Sequence, residues 1–166
     1  MNDKKGPDYS CSSCKHVIDI FVENVGNVIC GSNMRIEQFN YGMSVLNNSY
    51  VKAPSIVLYN NADVGMYMRN NSTVEAIGFK ATKNRYGLSI NYGSIFKGNG
   101  SFIKDNVYGI TMWGNAAAVL ENAYVISNQV YNGSILSGSR LNISGINDNS
   151  RFHIGGDDHV GVVYIR

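Results

Sequence analysis

Apolar and polar positions alternate at period two in short runs along this chain. Met43 and Val45, Met66 and Met68, Leu88 and Ile90, and Ile110 and Met112 each bracket a single polar or variable residue. Successive side chains of a strand point to opposite faces, so the alternation predicts half-buried strands. Each run also opens on the same chemistry: Asn40-Tyr41-Gly42, Asp63-Val64-Gly65, Arg85-Tyr86-Gly87 and Val107-Tyr108-Gly109, with the glycines stepping by 23, 22 and 22 residues. Seven positions after each glycine stands a small residue, Ser49, Ser72, Ser94 or Ala116, and Ser139 continues the column with a one-residue slip. Immediately before these come Asn48, Asn71, Gly93, Asn115 and Gly138. Gly and Asn take positive φ at least cost, so this column predicts one left-handed turn residue per unit.

A second alternating strand follows the turn, in Val51 and Ala53, Val74 and Ala76, Phe96 and Gly98, and Leu141 and Ile143. A third leads to Asn84, Asn106 and Asn128, again spaced by 22. Three short strands and three corners in every unit, returning with the same residues, predict an all-β parallel β-helix solenoid whose stacked coils bury one continuous column. Hexapeptide repeats are missing and the strands are unequal, which favours the right-handed form. About six coils of 22–23 residues, from near His16 to near Asn149, give roughly 29 Å of axis at the spacing between strands. A β-sandwich would set strands every 8 to 12 residues or so, without one chemistry recurring every 22. The expected organisation is a flexible polar lead-in over 1–15, the β-helix over 16–150 and a C-terminal cap or intersubunit strand over 151–166.

Composition agrees. The chain holds 18 Gly and 22 Asn among 166 residues, about a quarter of its length in poor helix formers. With 44% hydrophobic residues and a net charge of +2, it has a core to bury and little charge to hold it open. Its 14 Lys and Arg are spread without a basic block, so no nucleic-acid partner is expected. Membrane insertion is not expected either, because the apolar stretch from Val17 to Val25 is short and holds Asp19 and Glu23. Cys11, Cys14 and Cys30 are odd in number and clustered, so they cannot frame the fold with disulfides.

Units such as Asn84-Arg85-Tyr86-Gly87-Leu88-Ser89-Ile90-Asn91-Tyr92-Gly93-Ser94 and Ala62-Asp63-Val64-Gly65-Met66-Tyr67-Met68-Arg69-Asn70-Asn71-Ser72 resemble the coils of bacteriophage tail fibres and tailspikes with pectin-lyase-like β-helices. The resemblance covers roughly 40–150, and bacterial autotransporter adhesins and secreted polysaccharide lyases stack similar coils. It implies a homotrimeric virion protein of the phage tail, acting outside the cell, whose partner is a bacterial surface glycan. No particle-attachment domain is recognisable ahead of the coils, which implies a fragment or distal tip of a longer fibre.

In-register stacking turns equivalent positions into columns with readable chemistry. Lys52, Glu75, Lys97 and Val119 form an outward column of alternating charge, and Asp63 with Arg85 and Lys83 with Asp105 repeat it; such surface pairs tune stacking modestly. Asn84, Asn106 and Asn128 read as a hydrogen-bonded Asn ladder. A glycosidase needs two carboxylates about 5 to 9.5 Å apart. Asp63, Glu75, Asp105 and Glu121 fall in four different columns, so no catalytic residue is assigned. Glu75 beside Lys97 offers a weaker lyase-like pair. The binding candidates are Tyr67, Arg69, Ser89, Asn91, Thr111 and Trp113, an outward strip of aromatic, hydroxyl, amide and guanidinium groups suited to a sugar's apolar face and hydroxyl rim. Burial of Tyr67 and Trp113 against another subunit is the competing reading. Cys11, Cys14, His16 and Cys30 have zinc-ligand chemistry, but no second ligand pair follows them. The cluster His153, Asp157, Asp158 and His159 sits beside Gly155-Gly156 and reads as a turn. Neither a metal nor a cofactor is expected. Three functions follow: adhesion to a surface polysaccharide, a depolymerase with a site between subunits, or a purely structural fibre segment.

Overall fold

The computed structural model describes residues 20–155 and 161–165. The 1–15 lead-in, Cys11, Cys14, His16, Asp157, Asp158 and His159 lie outside the described residues. The chain is an all-β parallel solenoid of about six stacked coils, and the single helical feature among the described residues is the turn Asn149–Arg151. A coil in the middle is made of Tyr86–Asn91, Ile95–Asn99 and Phe102–Lys104; the one before it is Val64–Arg69, Thr73–Ile77 and Lys80–Thr82. Each strand pairs in parallel with its counterpart one coil away, Leu88 with Met66 and Ile110, Lys97 with Glu75 and Val119. The first strands of the coils form a seven-stranded sheet. The second and third strands form an eleven-stranded sheet, because Ala117–Ile126 runs unbroken through the corner that separates them elsewhere. Beyond Asn149, Phe152–Ile154 pairs with Tyr131–Ile135 and Val162–Ile165 with Arg140–Asn147, so the last described strands also stack in parallel.

The core is the column that the alternation marks out. Met43, Val45, Met66, Met68, Leu88, Ile90, Ile110 and Met112 are all buried from the seven-stranded side. Val51, Val74, Phe96, Leu120, Leu141 and Ile143 face them from the eleven-stranded side. Phe79 and Phe96 meet edge to face at 5.1 Å between ring centres in the middle of this column. Cys30 joins the core, and burial pushes its thiol above the usual cysteine range, so it is held unreactive.

Left-handed residues sit at every corner. The turn after the first strand holds two of them in tandem rather than the single one that the sequence predicts: Asn47 and Asn48 (φ 54° and 60°), Asn70 and Asn71 (58° and 59°), Tyr92 and Gly93 (50° and 71°), Gly114 and Asn115 (68° and 60°). The extra position is occupied by Asn, Tyr, Gly or Ser in turn, and that variety hides it from a composition-based reading.

The corner ahead of the first strand is closed by buried asparagines. Asn84 Nδ2 donates to Asn106 Oδ1 and Asn106 Nδ2 to Asn128 Oδ1, each at 3.0 Å. The same oxygens accept the backbone N–H of Asn84 at 3.0 Å and of Asn106 at 3.1 Å. The remaining amide hydrogen reaches back one coil, from Asn84 to the Leu58 carbonyl at 3.0 Å and from Asn106 to the Ala81 carbonyl at 2.9 Å. The ladder is longer than the three residues read from sequence: Asn61 precedes it, donating to Asn84 Oδ1 at 3.0 Å, and Asn132 ends it, accepting from Asn128 at 2.9 Å. The repeat glycines follow from the same geometry. A Cβ on Gly87 would lie 2.8 Å from Asn106 Nδ2 and 2.8 Å from the Gly109 carbonyl, and one on Gly65 would lie 2.7 Å from the Gly87 carbonyl.

Two substitutions test this construction. Asn106→Ala removes the acceptor of both the Asn84 backbone N–H and its side-chain amide inside the protein and is expected to cost about 3 kcal/mol or more, at 1–3 kcal/mol for each orphaned group. Gly87→Ala is expected to lower the midpoint of urea unfolding markedly, whereas Gly31→Ala, where an added Cβ meets nothing within 4 Å, leaves it unchanged or slightly raised.

Candidate functional site

The outer face of the seven-stranded sheet carries three adjoining columns. Tyr67, Ser89 and Thr111 are partners in register, and Ser44 and Ser134 extend the same column in both directions. Asn91 pairs with Trp113, and Arg69, just after the Met68–Ile90 pair, is the preceding member of that second column. The six sequence candidates therefore do form one strip, in two neighbouring columns. Their exposure differs. Trp113 is 44% exposed, whereas Ser89 is only 9% exposed and its hydroxyl accepts a hydrogen bond from Asn91 Nδ2 at 3.1 Å. Ser89 thus orients Asn91 more than it reaches outward.

The third column is aromatic and escaped the sequence reading of the site. Tyr86 and Tyr108 stack at 4.9 Å with rings 15° from parallel; Tyr108 and Tyr131 follow at 6.1 Å, and Tyr131 and His153 stack at 5.4 Å. Tyr41 belongs to the same column and its ring lies 5.6 Å from that of Tyr67, which fixes the aromatic column beside the hydroxyl one. The signal was present in the sequence, as the tyrosine before Gly42, Gly87 and Gly109, but it was absorbed into the repeat motif.

Tyr92 is the other residue that sequence reasoning missed. It sits at a left-handed corner, φ 50°, where other coils use Asn, Gly or Ser, a conformation that costs a bulky residue about 1 kcal/mol or more. Strain of this kind concentrates at working sites. The strained corner sets the Tyr92 ring edge-on to Trp113 at 4.7 Å and under the Arg69 guanidinium at 4.8 Å. Arg69, Tyr92 and Trp113 form a cluster on one flank of the hydroxyl column, and Tyr86, Tyr108 and Tyr131 line the other. The face has aromatic walls, a floor of Thr111 and Ser134 with Ser44 and Ser89 recessed beneath it, and side-chain amide and guanidinium groups at one rim.

The charged column lies on the eleven-stranded sheet. Lys97 Nζ is 3.2 Å from Glu75 Oε1, and the Tyr50 hydroxyl donates to Glu75 Oε2 at 3.0 Å. Lys97 and then Tyr50 hold the Glu75 carboxyl below its usual range, and Glu75 in turn pushes the Tyr50 phenol up. Arg85 approaches Asp63 at 3.8 Å. The expected pairing of Lys83 with Asp105 is not formed. Asp105 takes Lys104 at 3.2 Å, and the Lys83 ammonium lies 5.4 Å from the centre of the Tyr59 ring. Lys83 and Asp105 occupy equivalent left-handed corners, φ 59° and 55°, but each has a competing partner, the Tyr59 ring and its phenol for Lys83 and the adjacent Lys104 for Asp105.

Two acids of the described residues sit beside polar partners of the adjoining coil. Glu75 lies in register with Lys97, and Glu121 with Asn99, whose Nδ2 it accepts at 3.3 Å. Among the described residues no group of three or more His, Cys, Asp and Glu side chains is arranged to hold a metal ion. Cys30 is buried in the core, which removes the thiol from any shared site at the surface.

NMR titration of the glutamate side chains is expected to give Glu75 a pKa below that of an ordinary glutamate, rising back on Lys97→Ala and, to a smaller extent, on Tyr50→Phe. Because the folded-state value is the lower one, the contribution to stability is present above the ordinary glutamate range and is lost as the pH falls through the folded-state pKa. No protein-family model, no curated protein and no solved structure matches this chain.

Proposed function

We propose that this chain is a right-handed β-helix module of a phage tail-fibre or tailspike type, which adheres as a homotrimer to a polysaccharide on the bacterial surface. The observation that carries the reading is the outer face of the seven-stranded sheet, where stacked tyrosines and the Arg69–Tyr92–Trp113 cluster flank a row of hydroxyls. A pyranose ring offers C–H groups to an aromatic face and hydroxyls around its edge, and this surface supplies partners for both. Parallel stacking repeats those partners along the coil axis, which suits a polymer better than a single sugar. The N-x-Tyr-Gly coils that resemble tail fibres and tailspikes support the phage setting. Recognition is favoured over cleavage because Glu75 and Glu121 stand in separate columns with a lysine and an asparagine as their neighbours.

The reading is tested with capsular polysaccharide and lipopolysaccharide from a panel of bacterial strains, by affinity electrophoresis of the purified chain. At least one glycan is expected to retard it, without release of reducing ends. Trp113→Ala and the double change Tyr86→Ala with Tyr108→Ala are expected to weaken that binding about tenfold or more, on the order of 1.4 kcal/mol, at unchanged melting temperature. Light scattering is expected to give three chains per particle. Binding that survives both changes, or a glycan cleaved in a Glu75- or Glu121-dependent way, overturns the proposal.

A further inference from the structure

Where the corner ahead of the seven-stranded sheet meets the surface, an open groove of about 550 Å³ is lined by Asn60, Lys83, Arg85, Asp105, Val107 and Gln129. Four successive coils contribute to it, and the buried Asn ladder is its back wall. Lys83 and Arg85 flank Asn84, so two exposed cations stand on either side of one rung. Among the described residues Lys83 makes no ion pair, and the Tyr59 phenol followed by the charge of Asp105 hold its ammonium above the ordinary lysine range. Arg85 pairs only loosely with Asp63, at 3.8 Å from an Oδ1 that accepts no hydrogen bond, and its side chain stays 58% exposed to a further anion. The groove's own acid, Asp105, is taken by Lys104 at 3.2 Å.

Two further features connect the groove to the face already described. Lys83 holds a left-handed conformation, φ 59°, at a position where the preceding coil has Asn60, so a lysine is kept at some cost where asparagine fits. The Arg85 guanidinium lies 5.3 Å from the centre of the Tyr86 ring, the same ring that stacks on Tyr108. The cationic groove therefore opens beside the aromatic column.

We infer that the polymer carried by the tyrosine column is an acidic one, and that this groove is the subsite for its carboxylate-bearing sugar. The inference rests on the proposed glycan adhesion. The Arg85 fork matches the two oxygens of a carboxylate, Lys83 adds a point charge from the other side, and Asn60 and Gln129 remain to meet the sugar's hydroxyls.

The test uses alginate, hyaluronan and polygalacturonate, each as the native carboxylated polymer and after reduction of its carboxyl groups to alcohols, with dextran sulfate as a non-carboxylate anion. Affinity electrophoresis is run on the intact chain and on Lys83→Asn, which restores the residue of the neighbouring coil, on Arg85→Gln, and on Lys97→Gln as a charge control on the other sheet. Retardation by at least one native polymer is expected to fall tenfold or more on carboxyl reduction and on either groove variant, and to be insensitive to Lys97→Gln. Equal binding of native and reduced polymer that still needs Trp113 overturns the acidic assignment and leaves the adhesion reading standing. Failure to bind any polymer, acidic or reduced, or any strain glycan, overturns both. Dextran sulfate retarded as strongly, with the same dependence on Lys83 and Arg85, makes the groove a general anion site and overturns the carboxylate assignment.

Discussion

Everything in this molecule depends on keeping one coil in register with the next, and the buried asparagines are where that register is enforced most strictly. Parallel strands fix the spacing between coils but tolerate a slip along the strand until side chains object. An asparagine rung does not tolerate it. Asn106 Oδ1 accepts two hydrogen bonds from Asn84, and both hydrogens of the Asn106 amide are used, one in the next coil and one in the coil before. A chain of amides of this kind polarises along its length in a low-dielectric interior, and each rung left open would cost its full desolvation. The glycine of each Tyr-Gly pair is the companion requirement, since a Cβ there would occupy the space of the rung. Asparagine and glycine are thus one device distributed over two positions.

With register fixed, the surface becomes a set of columns, and a property carried by one coil is carried by its neighbours. Stacked tyrosines on one face and a Lys97–Glu75 pair on another are consequences of the same stacking. What differs is the return on exposure. The ion pair is solvated and contributes little. The aromatic column holds half-buried rings in fixed positions, so the fold itself has already met the entropy of ordering those side chains.

The fold was legible in the sequence because its period is long, its chemistry repeats and its strands alternate. Met66 and Met68 or Leu88 and Ile90 announce the core directly. The site was legible only in part. The strip from Tyr67 to Trp113 could be placed by counting from the glycines, since strand positions inherit the period. Tyr92 could not, because nothing in its neighbours' side chains distinguishes a tyrosine forced into a left-handed corner from a loop residue. The corner cations were misplaced for a different reason. Counting in steps of 22 puts Lys83 opposite Asp105, but Lys104 reaches Asp105 first and Lys83 lies against the Tyr59 ring. The column of tyrosines was visible and misread, its regularity making it look like scaffold.

The unbroken strand Ala117–Ile126 shows what the repeat permits. One coil carries its strand through the corner that its predecessors keep open between Ile77 and Lys80 or Asn99 and Phe102, with Asn122 (φ 49°) still left-handed in line with Gly78 and Gly100, and its neighbours on either side still pair with it. A solenoid built this way is edited in whole turns. A coil can be duplicated, lost or exchanged between genes without redesigning the interior, because each presents the same donors and acceptors to whatever lies above and below. Reach and specificity can then evolve independently of stability, the first by the number of turns and the second by the outward residues on each.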